Sequence, residues 1–180
     1  MALVSETNGY YGNADIKIPL PESVQKVEKI LRTAGYGEKV DAFELSMNRA
    51  AERAAPEAKS IFRDAITQMS FEDASKILNG RDNEATLYFE DKTSGRLQEL
   101  FKPIVKDSMG EVGVTRSFQD LNAKAESMPF GKRLSFDLDQ YVTDGALQGL
   151  FKMLAEQERQ IRTQPAARVT DLLQKVFAGQ

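Results

Sequence analysis

Glu158 is the residue with the clearest chemical potential. It lies in a segment whose apolar residues Leu147, Leu150, Phe151, Leu154 and Ile161 recur at helical spacing. At about 100° per residue, Glu158 falls within about 20° of Leu147, inside that apolar stripe. A carboxylate there must be paired, or be neutral, because burying a lone charge costs several kcal/mol. Arg162 follows at i+4 and can pair with it. Two readings stay open: a cleft carboxylate acting as acid, base or ligand anchor, or a salt bridge locking this helix to Arg168 or to another helix.

A second constellation is Asn48-Arg49-Ala50-Ala51-Glu52-Arg53. Asn48 borders the apolar face of its helix. Arg49 and Arg53 are like charges one turn apart, which repel unless an acid or an anionic ligand answers them. Guanidinium groups hold carboxylates and phosphates by forked hydrogen bonds; the alternative is a solvated face. Asn48, Arg49, Glu52, Glu158, Arg162 and Arg168 are therefore the candidate ligand-binding residues, expected to line one cleft for a small anionic ligand. A glycan hydrolase is the rival. It needs two carboxyl groups about 5–9.5 Å apart, and Glu158 with Glu52, Glu44 or Asp64 could supply them.

Other segments are less specific. Asp137-Leu138-Asp139 invites a calcium reading, but counting from Asp137 the sixth residue is Val142 and the twelfth Gln148, where an EF-hand needs Gly and Glu. Acids at a helix start explain it better. Gly9-Tyr10-Tyr11-Gly12-Asn13 offers exposed aromatics for sugar or peptide, or a pin for a terminal arm. Gly145 and Gly149 inside the long helix each cost about 1 kcal/mol relative to Ala, which close packing of a helix or ligand would justify.

The chain has 180 residues, no Cys, no His and no Trp. Those zeros exclude a Ser-His-Asp triad, a Cys nucleophile and the usual zinc and iron–sulfur sites, so neither cofactor nor metal is expected. With 24 basic and 27 acidic side chains the net charge is −3, which argues against a nucleic-acid module. No apolar run of about 18 residues predicts a membrane span. Met1-Ala2-Leu3-Val4 leads straight into Ser5-Glu6-Thr7-Asn8, so no export signal is read in the chain as given.

The elements that must position these residues are helical. Residues 1–20, with Pro19 and Pro21, predict an extended arm laid over the body. Residues 21–180 predict one all-α domain of about seven to nine helices. Gly35 is a stop, Pro56 a start, and Ser70 with Asp73 resembles a capping box. Asn83 predicts the start of a short helix. Thr93 or Ser94 predicts the next one, kinked at Pro103. A helix is expected after Thr115, carrying Phe118, Leu121, Ala125 and Met128, then a loop at 128–131. Thr143 predicts the cap of the long helix, and Val169, Leu172, Leu173, Val176 and Phe177 the stripe of the last one. That stripe could dock on a protein partner or on a second copy, giving a homodimer.

The segments Ile18-Pro19-Leu20-Pro21-Glu22-Ser23, Asn48-Arg49-Ala50-Ala51-Glu52, Ala54-Ala55-Pro56-Glu57-Ala58, Lys76-Ile77-Leu78-Asn79-Gly80, Pro103-Ile104-Val105-Lys106, Gly149-Leu150-Phe151 and Pro165-Ala166-Ala167-Arg168, in that order, resemble the bacterial family of unknown function DUF4197. The resemblance implies an all-helical protein preceded by an export signal, sometimes of lipoprotein type, and so a periplasmic or envelope-anchored location. It assigns no activity and no catalytic residue. The expectation is a non-catalytic binding or interaction module whose partner is an anionic ligand or an envelope protein.

Overall fold

The computed structural model describes residues 2–111, 119, 120, 123, 126 and 137–177. Phe118, Leu121, Ala125 and Met128 of the helix expected after Thr115, and the loop at 128–131, lie outside them. Among the described residues there is no strand. The helices are α1 (Ala2–Ser5), α2 (Glu22–Leu31), α3 (Gly37–Ala54), α4 (Ala58–Thr67), α5 (Phe71–Asn79), α6 (Glu84–Glu111), α7 (Leu138–Thr163) and α8 (Asp171–Phe177). The all-α class holds. The expected count of seven to nine is slightly high for full helices, since among the described residues only α2, α3, α4, α6 and α7 reach ten residues.

The long helices α3, α6 and α7 pack on one another and build the core. Phe43 and Met47 of α3, Leu97, Phe101 and Val105 of α6, and Val142, Ala146 and Leu150 of α7 fill it. Each set recurs at four-residue spacing, so one face of each helix turns inward. Gly35, at φ 86°, breaks the path between α2 and α3. That is a conformation a side chain disfavours.

Two boundaries differ from expectation. α6 is one helix, because Thr93 Oγ1 and Ser94 Oγ donate back to the carbonyls of Phe89 and Glu90 instead of capping a new start; Pro103 sits inside it. α7 likewise begins at Leu138. Asp137 is its N-cap, accepting from the Gln140 amide at 2.9 Å, while Thr143 Oγ1 donates to the Asp139 carbonyl.

The N-terminal arm is turned rather than extended. Main-chain bonds from Gly9 to Glu6, Gly12 to Asn8, Asn13 to Tyr10 and Lys17 to Asn13 fold it into consecutive turns. Only residues 17–21 run free of helix or turn. Gly, Asn and Asp at these positions support turning. Val4, Tyr10, Ile16, Ile18 and Leu20 of this segment are buried in the core.

Candidate functional site

The six predicted residues fall into two groups on opposite jobs. Among the described residues the groups share no hydrogen-bond partner.

Asn48, Arg49 and Glu52, on α3, hold the arm. The fully buried Asn48 accepts the Ile18 amide on Oδ1 at 2.8 Å and donates Nδ2 to the Ile18 carbonyl at 2.9 Å. Glu52 Oε1 accepts the amides of Tyr10 and Tyr11 at 3.1 and 3.2 Å. Arg49 donates to Glu52 Oε2 at 2.5 Å and to Asn8 Oδ1 at 2.8 Å. Tyr10 reaches across to α7, where its hydroxyl donates to the Ala146 carbonyl at 2.6 Å. Burial pushes that hydroxyl's pKa far up, and the Glu52 charge adds to the effect, so Tyr10 stays a neutral donor. The space for its ring is made by Gly149: a Cβ there would stand 2.5 Å from Tyr10 Cε1, and one on Gly145 would stand 3.0 Å from Ile18. The close packing that the two glycines imply is thus supplied by the arm.

Glu158, Arg162 and Arg168 form the second group, at the far end of α7. Glu158 Oε1 accepts the Ala85 amide at 2.9 Å, and Oε2 accepts the Thr86 amide and hydroxyl, each at 2.8 Å. These amides belong to the first turn of α6, which has no partner within its own helix. Arg162 binds Glu158 Oε1 through Nε at 3.0 Å and Nη2 at 2.8 Å. It also donates to the carbonyls of Ile77 (2.7 Å) and Leu78 (3.4 Å), in the last turn of α5. The pair is a wedge: its negative end caps the start of α6 and its positive end caps the finish of α5, each matching the local helix dipole. The side chains are 10% and 9% exposed. Arg168 donates to the carbonyls of Ile161, Arg162 and Phe177, closing the ends of α7 and α8. Both guanidinium groups lie 5.6 Å from the Phe177 ring centre.

All three arginines thus direct their donors to acceptors inside the chain, and Glu158 already accepts five hydrogen bonds on roughly four lone-pair sites. These six residues act as clasps.

Of the concave surfaces among the described residues, two bear on function. One, of about 570 Å³, opens between the arm, the α5–α6 turn and α7, lined by Asp15, Asp82, Asn83, Lys152, Glu156 and Arg159 among others. Its cations are already matched: Lys152 to Asp15 at 3.3 Å and Arg159 to Glu156 at 2.6 Å. Hydrogen bonds from Gln160 and then Arg159 hold the Glu156 carboxyl below the usual range. The second, of about 260 Å³, runs between α5 and α6. Apolar Ile77, Leu87 and Tyr88 line it together with Asp73, Lys76, Arg81, Glu84, Asp91 and Lys92.

α5 itself is unusual. Its capping box is complete, with Ser70 Oγ accepting the Asp73 amide at 3.0 Å and Asp73 accepting the Ser70 amide at 3.1 Å. Yet none of its residues is buried. Phe71, the first helical residue, is 92% exposed, and Ile66 near the end of α4 is 56% exposed. Sequence reading placed Phe71, Ala74, Ile77 and Leu78 on one face; Ile77 and Leu78 are half-buried, and nothing in the pattern showed that Phe71 stays exposed.

The described residues form an all-helical fold with two clasps and, in α5, a capped helix whose Phe71 stays exposed. No helix among the described residues is long and apolar enough to cross a membrane. The family model described as "Protein of unknown function (DUF4197)" matches residues 1–178, and the chain belongs to that family. No curated protein and no solved structure matches it.

Proposed function

We propose that this protein is a non-catalytic helical interaction module of the bacterial cell envelope, and that α5 with the start of α6 receives a protein partner. The observation carrying this reading is Phe71, almost fully exposed on a capped helix none of whose residues is fully buried. Apolar surface ringed by charge is typical of interaction sites. The adjoining groove carries three acids (Asp73, Glu84, Asp91) and three bases (Lys76, Arg81, Lys92). That balance suits a protein of mixed charge better than a polyanion. In this reading Asn48, Arg49, Glu52, Glu158, Arg162 and Arg168 hold the fold and leave binding to the open face. A small anion finds the nearly buried Arg162 engaged with Glu158 and α5, and Arg168 engaged with the ends of α7 and α8.

The hydrolase alternative needs a carboxyl with a raised pKa as general acid. Both oxygens of Glu158 already accept hydrogen bonds within the chain, and the Glu156 carboxyl is held low, which runs against that role for Glu156. The envelope location rests on the family resemblance alone.

The test places a photo-crosslinking residue at exposed Ser75 in the producing bacterium. We expect one discrete protein adduct, reduced several-fold by Phe71→Ser. An unchanged yield in that variant, or the same adducts from a probe at exposed Lys26 on α2, would overturn the reading. Fractionation into the cytosol would remove the envelope part only.

A further inference from the structure

The arm is seated on the body as a peptide is seated in a groove, and much of its recognition is of main chain. Asn48 satisfies both peptide groups of Ile18. Glu52 takes two consecutive amides. Tyr141 donates to the Pro19 carbonyl at 3.0 Å and Lys152 to the Asp15 carbonyl at 2.8 Å. Gly145 and Gly149 open the floor for Ile18 and Tyr10.

Three features make this seat exchangeable. The arm keeps its own shape between residues 6 and 17 through internal turns, so it can leave and return as a unit. It is joined to α2 by Pro19-Leu20-Pro21, whose prolines hold an extended connection and disfavour helix before them. And an empty groove is costly, because the buried Asn48 amide and Glu52 carboxylate would lose main-chain partners. A second arm satisfies them as well as the chain's own.

We propose that the groove between α3 and α7 accepts the arm of a second copy of this chain. Two chains exchange residues 2–18 and form a dimer that keeps the contacts of that segment. Exchange of an identical element is a low-cost route to dimers, since only the connection and the association entropy change. The dimer therefore grows with concentration. This proposal is independent of the α5 surface.

The wild-type chain supplies its own reporter. Lys17 Nζ on the arm lies 2.7 Å from Glu44 Oε2 on α3, within reach of zero-length carbodiimide coupling. Ordinary and ¹⁵N-labelled chains are mixed, incubated over a concentration series, coupled and digested. Mass spectrometry then reads the Lys17–Glu44 linked peptides. We expect light–heavy linked pairs that rise with concentration toward about half of the total, the value for random exchange, alongside a doubled native mass. Linked pairs of one isotope only, at every concentration, would overturn the proposal. That holds even if the native mass doubles, because the copies would then meet through another face, such as α5.

Discussion

The N-terminal arm and α5 are both short segments pinned to long helices by polar clasps, yet one is core and the other is surface. The arm delivers Val4, Tyr10, Ile16, Ile18 and Leu20 to the interior. Each such side chain contributes about 1.5–3 kcal/mol of burial before chain entropy is charged against it. α5 delivers none; it is held by Arg162 at its finish and the capping box at its start. A polar clasp can thus serve two ends. Around the arm it satisfies main chain that apolar burial has already brought in. At α5 it holds an amphipathic helix in place while leaving Phe71 exposed.

Substitutions can break or sharpen that contrast. The largest effect is expected from Glu158→Ala, which strands the nearly buried Arg162 and uncaps α6: about 3–5 kcal/mol of stability lost, read by denaturant unfolding. Next is Gly149→Ala, whose new methyl meets the Tyr10 ring and should cost about 1–3 kcal/mol. Gly95→Ala on α6 meets nothing within 4 Å and should stabilise, by up to about 1 kcal/mol. Opposite signs from the same change would confirm that the arm, and not helix propensity, sets the glycine requirement at 149. Tyr10→Phe removes only the bond to Ala146 and should cost about 1 kcal/mol.

A pH dependence belongs to the caps. The Ser70 hydroxyl holds the Asp73 carboxyl below its ordinary value of 3.8, and the Gln140 amide does the same for Asp137. The folded state then binds fewer protons than the unfolded chain, so this stabilisation is complete above the ordinary value and fades as pH falls through the folded values. Thermal melts taken below about pH 4 should show the decline, and Ser70→Ala should flatten it. The smallest effect is expected from Phe71→Ser: stability within about 0.5 kcal/mol of wild type, with binding rather than folding altered.

The helices were legible because their apolar stripes follow the helical period, and Gly35 and Ser70 punctuate them as turn and cap chemistry dictates. Glu158 stood out for the same reason, and its i+4 pairing with Arg162 is present. Its purpose was not legible. The amides of Ala85 and Thr86 and the carbonyls of Ile77 and Leu78 lie more than seventy positions away in sequence, and no local pattern reports them. Gly145 and Gly149 announced a close approach without naming the arm as what approaches. Thr93, Ser94 and Thr143 misled as caps because a hydroxyl donates to the preceding turn as readily as it accepts from the next. Phe71 gave no warning, since a stripe specifies a face and not its cover.

The most direct test is native-state hydrogen exchange, resolved by residue. The amides of Tyr10 and Ile18, held by Glu52 and Asn48, should exchange far more slowly than those within α5, which opens locally. Protection in α5 equal to that of the arm would contradict it, for α5 would then be an integral part of the core and no free face would remain for a partner.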